Sequence, residues 1–197
     1  MAKQVEFFFD LGSPAAYLAY TQLPTIAKHA GATIVWKPML LGGVFKATGN
    51  ASPVTVPAKG KWMMSDLARY ARRYGTPFGV PPGFPINTLP LMRGAAGMQM
   101  RRPQQFAAYV DAMFHAMFAA PRDLRDPLVV AEVVQSIGLA PAEFEALIAD
   151  PEVKHRLIAT TEEAVARGAF GAPTYFVGDD MFFGQDRLEF VAEALRA

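Results

Sequence analysis

Along the chain, apolar residues form short unbroken runs near both ends and recur at helical spacing in between. The first run, Val5 to Asp10 (VEFFFD), is aromatic and β-branched and is bounded by Gly12 and Pro14, the pattern of a buried strand. From Pro14 to about Ala30 the spacing changes to that of a helix. Ser13 stands where an N-cap belongs, Pro14 has its φ already set for the first helical position, and Gly31 fits the C′ stop. Ala32 to Lys37 (ATIVWK) predicts a second strand. Strand, helix and strand so spaced form a βαβ unit, which requires a parallel pair and a right-handed crossover.

The segment 42–90 breaks the pattern with Pro53, Pro57, Pro77, Pro81, Pro82, Pro85 and Pro90. One helix is predicted inside it, Lys61 to Tyr74, with Leu67, Tyr70, Ala71 and Tyr74 at helical spacing and Gly75 after it. From Thr88 to Gly168 the chain reads as helical throughout. Asp126-Pro127 and Asp150-Pro151 look like N-cap and N1 pairs, and Ala140-Pro141 opens another helix. Strands return at Thr174–Val177 and Met181–Phe183, joined by a Gly178-Asp179-Asp180 turn as a hairpin, and Asp186 to Glu189 resembles a capping box for a last helix. The order is βαβ, a helical block, then ββα. An α/β fold is expected in which 1–42 and 169–197 share one sheet and 43–168 is an inserted helical domain.

Composition narrows the function classes. At 52% apolar, 197 residues can bury a sizeable core. With 19 basic and 18 acidic residues, net +1, there is no field to draw nucleic acid or an anionic membrane. No stretch is apolar for long enough to span a bilayer. The start MAKQVEFFF lacks the apolar core and cleavage site of a secretion signal, so the cytoplasm is the expected compartment. There is no cysteine, hence no disulfide, no thiolate nucleophile of the chain's own and no sulfur-ligated metal.

Three places could carry chemistry. Ser13, at a strand-to-helix turn, either caps the helix or shares its start with an anion, since the first N–H groups of a helix are unpaired and carry partial positive charge. Ala172-Pro173-Thr174 precedes a strand, where a cis proline would present the backbone of Ala172 to a neighbouring site. Phe183-Gly184-Gln185-Asp186-Arg187 combines a glycine turn with a helix start and a carboxylate. A serine hydrolase is disfavoured: there is no G-x-S-x-G, and His29, His115 and His155 all fall in helical runs. No H-E-x-x-H and no phosphate-binding glycine loop is present.

Taken in order, FxFDxxSPxxYL (Phe7 to Leu18), GN…P…PAK (Gly49 to Lys59), DLARYA (Asp66 to Ala71), Phe84-Pro85 and FGxPTxFVGxxMFxGxDRL (Phe170 to Leu188) resemble the DsbA-like branch of the thioredoxin superfamily. More closely, they resemble the 2-hydroxychromene-2-carboxylate isomerases, relatives of the kappa-class glutathione transferases. The resemblance implies a thioredoxin-like fold with a large all-helical insertion. Where redox relatives carry C-x-x-C, this chain has Ser13 and Ala16. The resemblance implies that the thiol comes from outside, as glutathione, with Ser13 donating to its sulfur. Ala172, before a cis Pro173, would pair with glutathione's backbone. Gln185, Asp186 and Arg187 would hold its γ-glutamyl end. Asn50 and either Lys59 or Lys61 would reach the glycyl end or the substrate. Lys46 would face the substrate carboxylate, and Trp62, Phe84 and Asn87, with Phe45, would line the pocket for an aromatic ketoacid. The implied reaction interconverts 2-hydroxychromene-2-carboxylate and trans-o-hydroxybenzylidenepyruvate in the breakdown of naphthalene-type aromatics, by a homodimer. A kappa-like glutathione transferase and a non-catalytic glutathione-binding module remain as alternatives.

Overall fold

The computed structural model describes residues 3–197. Strand β1 (Gln4–Phe9) pairs in parallel with β2 (Thr33–Pro38), and helix α1 (Pro14–Ala30) makes the crossover. Strand β3 (Thr174–Val177) runs antiparallel on the other side of β1, with Phe7 opposite Tyr175, and β4 (Asp180–Phe183) completes the hairpin. The sheet order is β2-β1-β3-β4, so both ends of the sequence build one sheet. The unbroken phenylalanine run follows from burial on both faces. Phe7 and Phe9 stack at 5.3 Å on the side of Leu18 and Leu23 of α1, while Phe8 packs edge-on against Phe176, at 5.6 Å, beside Met39 and Val44.

The helical block supplies α2 (Leu41–Thr48), α3 (Pro57–Tyr74), α4 (Leu89–Arg101), α5 (Pro103–Phe114), α6 (Pro127–Ser136), α7 (Pro141–Ala149) and α8 (Pro151–Ala166); α9 (Leu188–Ala194) ends the chain. Helix α5 runs on into a π-helical turn, His115–Ala119. The Asp-Pro starts of α6 and α8 form as expected, Asp126 and Asp150 each accepting an N–H at 2.8 Å. Gly31 and Gly75 end their helices at φ 63°. The block shares the core of the sheet: Phe9 meets Phe114 at 6.0 Å and Tyr17 meets Phe118 at 5.5 Å. Among the described residues no single helix is long and apolar enough to cross a membrane.

Three local expectations are corrected. Helix α2 occupies a stretch whose LGGVFKAT reads as loop, because two glycines mask its apolar face. Helix α3 begins at Pro57, four residues before the expected Lys61. The capping box at Asp186–Glu189 does not form: Gln185–Arg187 is a 3-10 turn, and the Asp186 carboxylate pairs with Arg187 at 2.5 Å instead of an N–H.

Helices α4, α5 and α7 approach through Gly94 of α4. A Cβ there would lie 2.1 Å from the hydroxyl of Tyr109, which is fully buried and donates to the Leu91 carbonyl at 2.8 Å, and 2.6 Å from the Phe144 ring. Neither ring can yield without displacing a helix. Gly94→Ala is therefore expected to lower stability by about 1–3 kcal/mol, the range for overpacking, despite the better helix propensity of alanine. Urea unfolding checks this, and an unchanged midpoint would mean that the contact relaxes freely.

Candidate active site

The site begins where β1 runs out. Asp10, Leu11 and Gly12 turn the chain, and Ser13 caps α1 in extended conformation, its N–H donating to the Asp10 carbonyl at 3.0 Å. The Asp10 carboxylate accepts from the Gly12 N–H at 2.8 Å and from the Leu41 N–H at 2.7 Å, tying the turn to the start of α2. Gly12 is required by close approach, since a Cβ would stand 2.6 Å from the Thr88 methyl. Burial pushes the Asp10 carboxyl above its ordinary 3.8, against the opposing pull of the Leu41 and Gly12 N–H groups and the Thr88 hydroxyl.

Ser13 is 4% exposed and its hydroxyl is committed twice. It accepts from the Ala16 N–H at 3.1 Å and donates to the Ala172 carbonyl at 2.9 Å, joining the first helix to the far end of the chain. The Ala172-Pro173 peptide is cis, as is Phe84-Pro85, which the sequence does not announce. The Pro173 carbonyl accepts from the Gly184 N–H at 3.0 Å. Tyr74 donates to the Gln185 carbonyl at 2.9 Å and fixes the following loop; burial, foremost, pushes its hydroxyl up to about 12.

Above Ser13 and Ala172 opens a cavity of about 700 Å³. Asn50, Lys59, Trp62, Phe84, Gln185 and Asp186 line it, together with Phe45. Asn50 also donates to the Phe170 carbonyl at 2.8 Å, and the Phe170 and Phe183 rings, 4.5 Å apart, stand at the cavity. The remaining expected residues lie elsewhere. Lys61 is on α3 two residues past Lys59, about 200° around the helix, and does not line the cavity. Asn87 is exposed and accepts from the Leu89 N–H at 3.0 Å. Arg187 pairs with Asp186, and Pro173 lies behind Ala172 rather than on the lining. Lys46 is on the opposite face of α2 and lines a second cavity, so its expected place at the first is corrected.

The sequence reading missed Asp10, Thr88 and Asp66, all on the lining. Asp66 had a signal: Lys59, Met63 and Asp66 follow i, i+4, i+7 on α3 and so share a face. The lining thus offers one cation, Lys59, and two partly exposed carboxylates, Asp66 and Asp186, around an apolar interior. Among the described residues no group of three or more histidines or acids could hold a metal.

A family model for a DSBA-like thioredoxin domain matches residues 4–196. The chain is 32% identical to a 2-hydroxychromene-2-carboxylate isomerase of Sphingobium xenophagum over 197 residues, 99% of either chain. It is 27% identical to glutathione S-transferase kappa 1 of Homo sapiens, over 99% of this chain and 92% of that one. A solved structure of a 2-hydroxychromene-2-carboxylate isomerase superposes with a TM-score of 0.86 at 31% identity, covering 98% of this chain and 94% of the other. The chain therefore belongs to the DSBA-like thioredoxin domain family, in the branch of the 2-hydroxychromene-2-carboxylate isomerases.

Proposed function

We propose that this isomerase interconverts 2-hydroxychromene-2-carboxylate and trans-o-hydroxybenzylidenepyruvate, using glutathione as the thiol it lacks. The observation that carries the reading is Ser13. Its hydroxyl sits at the start of a 17-residue helix, against the carbonyl of Ala172, on a cavity, in a chain without cysteine. Disulfide chemistry needs two sulfurs, so a thioredoxin-like site of this composition suits a borrowed one.

The donors at the helix start support the same reading. Pro14 has no N–H, and the Ala16 N–H is taken by Ser13. The Ala15 N–H has no partner within the helix, as for the first N–H groups of any helix, and Ala15 lines the cavity. When glutathione lays its cysteinyl backbone along Ala172 as an added strand, its N–H takes the Ala172 carbonyl. The Ser13 O–H, kept intact, then turns to donate a hydrogen bond to the sulfur, and with the Ala15 N–H and the helix dipole it favours thiolate over thiol. Lys59 and Asn50 suit the glycyl carboxylate, and Asp66 and Asp186 the γ-glutamyl ammonium. Phe45, Trp62 and Phe84 offer walls for the aromatic ring.

The thiolate adds to the benzylic carbon of the conjugated ketoacid, and the carbon–carbon double bond becomes single as its electrons pass to the ketone oxygen. The enolate rotates, collapses and expels the thiolate, so no electron or atom is gained or lost. Chromene forms when the phenol oxygen closes on the ketone. This reading places the protein in the breakdown of naphthalene-type aromatics, in the cytoplasm, as a homodimer.

The kinship to kappa glutathione transferases favours a second reading, in which the adduct is kept. Following the ketoacid by absorbance while titrating free thiol separates them. Isomerisation that needs glutathione but leaves its concentration unchanged supports the isomerase. Loss of one thiol per turnover supports a transferase, and full turnover without glutathione would overturn the thiolate step.

A further inference from the structure

We infer that the second cavity is a binding site for a small organic anion with an apolar body, such as an aromatic carboxylate or sulfonate. It measures about 540 Å³, within the range of small-molecule sites, and lies between α2, α4 and α8. Its floor is apolar, with Leu40, Leu89 and Leu157 among the lining residues. Three cations stand around it, Lys46 from α2, Arg93 from α4 and Lys154 from α8, against one carboxylate, Glu162.

The charge arrangement points to the ligand class. Arg93 and Lys154 are half-buried, yet among the described residues neither they nor Lys46 is in an ion pair or hydrogen-bonded to a carboxylate, and Glu162 pairs with none of them. A partly desolvated cation is costly without an anion beside it. Two such groups, Arg93 and Lys154, with the exposed Lys46 at the edge, converge from three helices on an apolar hollow and meet that requirement when an anionic head lies among them and its body enters the hollow. The polar side chain in the wall is already satisfied: Thr161 accepts the Leu40 N–H at 2.9 Å and donates to the Leu157 carbonyl at 2.7 Å, so it asks nothing of the ligand. The site is distinct from the first cavity, because α2 stands between them, presenting Leu41 and Phe45 to one and Lys46 and Ala47 to the other.

The test uses anilinonaphthalene sulfonate, a fluorescent aromatic anion, titrated into the full chain. The wild-type protein should bind it with enhanced emission. Arg93→Gln combined with Lys154→Gln should weaken binding roughly tenfold or more, the scale for lost charge-assisted contacts. Ala47→Trp, which fills the hollow from an exposed position, should weaken it as much without removing a charge. Phe84→Ala, in the first cavity, should change it less than twofold. The inference fails if the dye follows Phe84→Ala instead of the second-cavity variants. It fails equally if Ile158→Glu, on the rim at 53% exposure, converts a dimer to monomers in sedimentation while no second-cavity variant alters dye binding; the hollow would then be covered by a second copy.

Discussion

Ser13→Ala is expected to lower glutathione-dependent turnover roughly 10²-fold, the scale for loss of one preorganised donor to developing or bound charge. The buried hydroxyl now joins Ala16 N–H to the Ala172 carbonyl. Alanine leaves both without that partner, and the lost cap costs about 1 kcal/mol of stability, small enough for a folded protein to be assayed. The two roles separate in the measurements. A capping role alone moves the urea midpoint and leaves kcat nearly unchanged. A donor to sulfur also moves the pH dependence of the rate: with Ser13, thiolate forms at lower pH, and without it the rising limb shifts up toward the ordinary thiol value of about 8.5. The KM for glutathione should change less than kcat, because Lys59, Asn50, Asp66 and Asp186 remain to hold its ends. An unchanged kcat and pH limb would return Ser13 to capping alone.

How much of this site is legible in the sequence depends on whether the determinant is local. Ser13 with Pro14, the Gly31 stop and the Asp-Pro helix starts are short-range features set by a few neighbouring dihedrals, and they form as read. That both ends share one sheet is legible from short strand patterns at opposite ends; the order β2-β1-β3-β4 is not, because strand pairing is set by the fold as a whole. The failures are of orientation. Lys46 and Phe45 are adjacent in sequence and end at different cavities, because α2 is a partition and each of its faces has its own room. Lys59 and Lys61 could not be told apart without knowing that Pro57 opens α3 and so fixes its face. Asp186 has the right spacing for a capping box, yet Arg187 beside it offers a charged partner at 2.5 Å, and the chain tightens into a 3-10 turn. Asp10 was passed over because a single acid at a strand end looks like a solvated turn residue. Only the fold brings the Leu41 N–H to it.

That burial makes Asp10→Ala the second large expected effect. The substitution leaves the part-buried Gly12 and Leu41 N–H groups without an acceptor, at about 1–3 kcal/mol each. A total on the order of 2–4 kcal/mol allows for partial rescue by water. Turnover should fall as well, since the freed turn carries Ser13 and the freed start of α2 carries the Leu41 and Phe45 wall; Asp10 acts here as a positioning residue. Asp10→Asn keeps the shape and one acceptor, and should recover much of both stability and turnover. It also isolates the titration. Burial holds the folded-state carboxyl above its ordinary 3.8, so the folded protein binds this proton more tightly than the unfolded chain. The stabilisation by that proton is complete below 3.8 and is lost as pH rises through the folded value. Asp123, Glu143 and Asp150 are shifted downward and act in the opposite sense, at lower pH. Comparing wild type with Asp10→Asn cancels their contribution. The stability advantage of the wild type over Asp10→Asn should therefore shrink as pH is raised above about 4, read as the difference in unfolding free energy across a pH series. A difference independent of pH would show that burial and the N–H partners cancel, and an advantage that grows with pH would show that the N–H partners outweigh burial. An Asp10→Ala variant as stable as the wild type would show that the Gly12 turn and α2 hold their places without it.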